Sequence, residues 1–138
     1  MKKGFTVLEI LLTVVIFAVL LGLTVPKFIS LIDKSKEGST KHQLTRLRSA
    51  IAAYYGENQG EYPTDDLTSL VPRYIEAIPQ VKVPGLASTS HVSTGTYRQA
   101  FTNKGGWAYV NDPDDPYFGE VFVNTDRPDS FGTPWYNY

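Results

Sequence analysis

The sequence predicts an α+β fold: one long N-terminal α-helix, membrane-spanning in its first half and packed through its outer half on a small antiparallel β-sheet head. Three observations predict it. Phe5 to Val25 form an apolar run interrupted by a single formal charge, Glu9. Beyond Pro26, apolar residues continue at spacings built from threes and fours, through Phe28, Ile32, Leu44, Leu47, Ile51 and Tyr54. Near the end of the chain, two β-prone runs, Trp107–Val110 and Glu120–Asn124, flank a loop rich in Asp and Pro.

The chain has 138 residues, a formal net charge of −1 and no cysteine. About 110 residues remain beyond the apolar run, enough for one small domain with a modest core. A charge near neutrality, with no basic run after the span, argues against a nucleic-acid-binding surface. Without disulfides the head must hold itself together by packing or by a bound ion.

The apolar run matches the roughly 20 residues a helix needs to cross a bilayer. It is longer than the ~7–15-residue core of a secretory signal, and no A-x-A-like site follows it, so the span is expected to stay with the mature protein. Lys2 and Lys3 place the N-terminus in the cytoplasm and the chain after Pro26 on the far side of the membrane. Glu9 is costly in such a segment, roughly 2.5–3.5 kcal/mol at a helix centre and less near the interface. Its position leaves two readings open: it snorkels to the headgroups, or a partner offsets its charge. Pro26 has no N–H for the Gly22 carbonyl and clashes with it, a cost of ~3 kcal/mol in an ordinary helix interior. Gly22 loosens the same turn, and a kink where membrane meets water accounts for the pair.

Lys2-Lys3-Gly4-Phe5-Thr6-Val7-Leu8-Glu9 resembles the class III signal of type IV pilins and of the pseudopilins of type II secretion systems. The resemblance implies that prepilin peptidase cuts between Gly4 and Phe5 on the cytoplasmic side, and that Phe5 is then N-methylated. It divides the chain into a leader peptide at 1–4, a transmembrane and filament-core helix at 5–26, and a pilin-like head at 27–138 that includes the outer half of the long helix. Glu9 falls where the family places its acid and Pro26 where it places its helix proline. Ala18 departs from the pattern, since many members carry glycine there.

The function implied is structural, not enzymatic. The subunit is a single-pass protein of the bacterial inner membrane with its C-terminal head in the periplasm. It then enters a helical homopolymer, a periplasmic pseudopilus or a surface pilus. Its partners are the peptidase, an inner-membrane assembly platform and minor pilins or pseudopilins; no nucleic acid contact is expected. Assembly falls to Phe5, Glu9, Gly22 and Pro26. Glu9 pairs with the protonated α-amino group of Phe5 on a neighbouring subunit and sets axial register, a heterologous contact that generates open helical filaments. The turn before Pro26 unwinds on entry to the filament. Within the family the chain looks most like a major pseudopilin of the G type, through its short cysteine-free head, Tyr62-Pro63-Thr64 and its acidic C-terminal region. The alternative is a type IV pilus pilin, used in adhesion, motility or DNA uptake. A single-span protein with a periplasmic binding or enzymatic head is a second.

The long helix is expected from about Thr6 to Tyr55, ending near Gly56 or Gly60. At 1.5 Å per residue it is about 75 Å long, so its outer half must bury its stripe against the rest of the chain. Gly56 to Thr64 reads as a turn, with Thr64 or Asp65 capping a short helix across Leu67, Leu70 and Val71. Tyr74, Ile75 and Ile78 then return to the core. Val81, Val83 and Leu86 read as a short edge strand interrupted by Pro84, and Ser88 to Gly95 as a solvated loop. Ser90 beside His91 lacks a third orienting residue for a triad. The last two β-prone runs form a hairpin in which Trp107 and Tyr109 share a face, as do Val121 and Val123. One such face packs on Leu44, Leu47 and Ile51. The tail Gly132-Thr-Pro-Trp135 also resembles some bacterial pilin-like proteins.

Asp112, Asp114, Asp115, Glu120, Asp126 and Asp129 crowd the C-terminal region. Calcium takes about six to eight oxygens from carboxylates and carbonyls on a flexible loop. Major pseudopilins bind calcium in a C-terminal loop, and the resemblance points to Asp126 and Asp129 as ligands. Acids interleaved with Pro and Gly also read as solvated turns. His42 and His91 are isolated and make no metal-binding pair.

Overall fold

The computed structural model describes residues 4–138. These divide into two units, one ending at Lys34 and the other running Ser35–Tyr138. The first unit is helix. α1 runs Val7–Glu57, 51 residues with Pro26 inside it, within a turn of the expected bounds at both ends. Its large apolar side chains are exposed within this chain as far as Ile32. Thr13 and Thr24 return their hydroxyls to the carbonyls of Glu9 and Leu20, at 2.7 and 2.6 Å. In apolar surroundings that leaves neither hydroxyl unpaired. Gly22 has open space around it, so no packing within the chain requires glycine there.

In the second unit α1 becomes amphipathic, burying Glu37, Thr40, Leu44, Leu47, Ala50 and Ile51 at helical spacing. The sheet is three-stranded, in the order β1 (Val92–Gly95), β2 (Trp107–Val110), β3 (Val121–Val123). β2 and β3 form the expected antiparallel hairpin, with Trp107 opposite Val123 and Tyr109 opposite Val121. Those four side chains join Leu44, Leu47, Ile51 and Trp135 in the main core. The alternate positions, Ala108, Val110 and Phe122, build a second cluster with Ala100. Arg48 ties α1 to the start of β3, donating to the Val121 carbonyl at 3.0 Å.

The sheet is mixed, not wholly antiparallel as expected, because β1 lies parallel to β2, with Val92 beside Trp107. Composition makes residues 88–95 read as a solvated loop, yet 92–95 is an edge strand. Every position of β1 is only half-buried, and its pairing runs through the main chain, so its polar side chains conceal it. Gly106 permits the approach. At φ +78° it tolerates a conformation other residues avoid, and a Cβ there would stand 2.4 Å from the His91 carbonyl. That carbonyl accepts the Trp107 N–H at 2.8 Å. A four-residue helix, α2 (Tyr97–Ala100), joins β1 to β2 and starts with a capping box of Thr96 and Gln99.

The expected strand at Val81–Leu86 contracts to a single bridge between Val81 and Thr89. The chain turns directly after it, with the Leu86 N–H on the Val83 carbonyl at 3.1 Å and Gly85 at φ +77°; between them and the bridge, the Thr40 hydroxyl donates to the Lys82 carbonyl and accepts the Lys82 N–H, both at 2.9 Å. The short helix is one 3₁₀ turn, Thr68–Leu70. Asp65 anchors it, accepting the N–H groups of Leu67 and Ser69 at 3.0 and 2.8 Å. This connection is tied to β2 by the Tyr109 hydroxyl on the Pro63 carbonyl, 2.6 Å, and the Trp107 indole N–H on the Pro79 carbonyl, 2.7 Å.

Candidate functional site

The residues expected to direct processing and assembly stand at the start of α1. Gly4 and Phe5 are exposed and precede the helix, which opens with the Ile10 N–H on the Thr6 carbonyl at 3.2 Å. The peptide bond between them is therefore main chain that no helical ladder protects. Lys2 and Lys3 lie outside the described residues.

Glu9 has a partner within its own chain. The Thr6 N–H and hydroxyl both donate to its Oε2, at 2.9 and 3.0 Å, while Thr6 Oγ1 accepts the Glu9 N–H at 3.2 Å. This is a capping box, and it places the carboxylate against the positive end of the helix dipole. Hydrogen bonding meets part of the cost of the charge without neutralising it. Thr6 is the residue that charge and hydropathy do not single out; its signal is the T-x-x-E spacing at the head of an apolar run. Gly22 and Pro26 sit together further along the same helix, which continues through the proline.

The acids of the C-terminal region are not gathered. Asp112 accepts the Asp114 N–H at 3.0 Å, and Asp115 those of Tyr97 and Tyr117 at 2.8 and 2.9 Å. Among the described residues, no three acidic or histidine side chains converge as a metal-binding group. Asp126 is exposed and gives its N–H to Asn103. The Asp129 side chain, by contrast, is fully buried. Its Oδ2 accepts Lys41 Nζ at 2.8 Å and the Tyr138 hydroxyl at 2.6 Å; its Oδ1 accepts the N–H groups of Phe131 and Thr133 at 2.9 and 3.0 Å. The carboxylate is thus met by proton donors, which a metal ion would have to displace.

Burial opposes ionisation of Asp129, but Lys41, Tyr138 and the two N–H groups outweigh it and hold the carboxyl below the usual range. Lys41 is held up in turn, its own desolvation outweighed by its hydrogen bonds to Asp129 and Tyr138. A depressed carboxyl stabilises the fold above its unfolded value of about 3.9, and the stabilisation is lost as pH falls from there through the folded value. The melting temperature of the wild type should therefore fall on acidification below about pH 4, and Asp129→Asn should lose part of that dependence. Parallel melting curves against pH for the two proteins would place the acid sensitivity elsewhere.

His91 contributes its carbonyl to the sheet. A cleft of about 340 Å³ beside Arg48, Ile51, Tyr55, Tyr62 and Glu120 has no histidine, serine or cysteine in its lining.

No known family profile matches the chain, and no solved structure matches it. Over 64 residues it is 33% identical to the type IV narrow pilus major component PilA5 of Thermus thermophilus, a match covering 46% of this chain and 54% of that protein. The relative is a pilus component. The chain spans about half the length of the curated relative it matches. The likeness agrees with the architecture, a long apolar-led helix followed by a small α+β head, which is the pilin-like arrangement the sequence predicts.

Proposed function

We propose that the chain is a structural subunit of a pilus-like filament. Prepilin peptidase cuts it between Gly4 and Phe5, Phe5 is N-methylated, and the subunit polymerises through its N-terminal helix. The observation that carries this reading is the first unit of the structure. Its helix is long and apolar enough to cross a membrane, its large apolar side chains are exposed within the chain to Ile32, and its one acid before Pro26 stands in the first turn. Such a surface is stable in lipid or against copies of itself. Likeness to a pilus component supports the second state as the working one. The subunit starts as a single-pass protein of the inner membrane with its head in the periplasm. It is drawn from there by an assembly platform, with minor pilins or pseudopilins as companions.

In the filament Glu9 faces the α-amino group of Phe5 on the next copy, and the weak turn from Gly22 to Pro26 opens. Two finer readings each have an observation in their favour. The short cysteine-free head and Tyr62-Pro63-Thr64 favour the major pseudopilin of a type II secretion system; the likeness to a type IV pilus component favours a type IV pilus. Mass spectrometry of the mature N-terminus tests the common reading: a methylated Phe5 start is expected, and an intact Met1 in cells holding the peptidase would overturn it. Shearing the cells then separates the two assemblies, since surface filaments belong to a pilus and periplasmic retention to a pseudopilus.

A further inference from the structure

Lys41, whose side chain is 33% exposed, points its ammonium into a half-open cage in which Phe131 is the exposed outer ring. Nζ lies 3.9 Å from the ring centroid of Tyr138, 5.5 Å from that of Trp135 and 5.8 Å from that of Phe131. A fourth wall is the buried Asp129 carboxylate, 2.8 Å away. Three aromatic faces and one carboxylate around a single cation are the chemistry by which proteins hold organic ammonium groups. The cation comes from α1 and all four walls come from residues 129–138.

The loop that carries the walls has anchors besides the cation. Asp129 Oδ1 takes the N–H groups of Phe131 and Thr133, and the Asp129 N–H closes the turn on the Thr133 carbonyl at 2.8 Å. Glu37, buried on α1, takes both the N–H and the hydroxyl of Ser130, at 2.9 and 2.6 Å. Trp135 is fully buried, and among the described residues no group accepts its indole N–H.

We infer that residues 129–138 form an alkylammonium-binding site filled in cis by Lys41, and that this internal cation, in place of a calcium ion, locks the C-terminal loop onto α1. Calcium needs about six to eight oxygens, whereas the cage offers aromatic faces and one carboxylate whose oxygens already accept four proton donors. Asp126, the other candidate ligand, is exposed. A primary ammonium suits the same walls, donating to the carboxylate and resting its remaining charge on the rings. The cage is present in the single chain and does not depend on what the chain assembles into.

The test is a melting experiment on the full chain in dodecyl maltoside micelles, followed by near-ultraviolet circular dichroism of the buried aromatics. The wild type should melt at the same temperature in calcium chloride and in EDTA. Lys41→Ala removes the equivalent of one n-propylammonium ion and should melt about 5–10 °C lower. Millimolar n-propylammonium chloride should raise that melt in a concentration-dependent manner, while sodium chloride and calcium chloride at matched ionic strength should not. A wild-type melt that rises with calcium and falls with EDTA would overturn the inference. So would rescue of Lys41→Ala by calcium alone, or an unshifted melt. If Lys41→Ala does not fold unaided, recovery of the native signal on refolding with n-propylammonium supports the cage; recovery with calcium alone, or with neither, sinks it.

Discussion

Glu9→Ala should leave the chain inserted and trimmed but lower filament yield by more than about a hundredfold. The substitution removes two things. One is local: the capping box with Thr6, a contribution of about 1 kcal/mol to the first turn of α1. The other is the charge that, in the proposed filament, is set against the Phe5 amine of the next subunit. An amine left without its counter-charge in apolar surroundings costs about 3–5 kcal/mol, and 2.7 kcal/mol is already about a hundredfold in an equilibrium. Each subunit contact repeats that loss, so the interchain contribution dominates. Glu9→Gln separates the two, because glutamine can serve at that position of a capping box without a charge. Thr6→Ala does the reverse, weakening the cap and keeping the charge. With equal amounts of processed subunit, pelleting and electron microscopy should give wild type first, Thr6→Ala close behind, and both Glu9 variants far below. Wild-type yield from Glu9→Gln would reduce Glu9 to a helix cap and remove it from the contact between subunits.

What could be read before the structure follows from how far each signal reaches along the chain. The long helix, its proline and the stripe at Leu44, Leu47 and Ile51 repeat a local period, and a period survives without tertiary information. The hairpin of β2 and β3 is legible for the same reason, since alternation puts Trp107 and Tyr109 on one shared face, which the structure turns to the core. β1 is not, because Val92-Ser-Thr-Gly95 carries one apolar residue and is held through backbone bonds that no side chain announces. α2 is too short at four residues to show a period. The Asp129 cluster illustrates a different limit. Acidic crowding flagged the residue, but its cation comes from a lysine 88 positions earlier, and a separation of that size leaves no trace in local spacing. Thr6 is a signal in plain view, a T-x-x-E box whose helix-start meaning is overshadowed by the membrane meaning of the run it opens.

The second large effect belongs to the head. Trp107→Ala should destabilise it by about 3–5 kcal/mol, against a total near 5–15 kcal/mol for a domain of ordinary stability. Trp107 is fully buried on the central strand, with Val92 beside it and Val123 opposite. Its ring joins the core between sheet and helix, so truncation loses the transfer free energy of an indole and leaves a cavity in rigid surroundings. It also orphans the Pro79 carbonyl, which the indole N–H reaches at 2.7 Å, adding about 1 kcal/mol. Trp107→Phe retains much of the ring but loses the donor, so its smaller deficit, about 1–2 kcal/mol, measures mainly the tie to the Pro79 loop. Urea midpoints for the three full chains in micelles check this order. Equal losses from Ala and Phe would mean that the hydrogen bond, and not the packed ring, holds the sheet to the loop. A loss below about 1 kcal/mol from Ala would contradict a core centred on β2. Neither variant touches the first turns of α1, so the subunits that do fold should polymerise at the wild-type rate, in contrast to the Glu9 variants, whose heads fold and whose filaments fail.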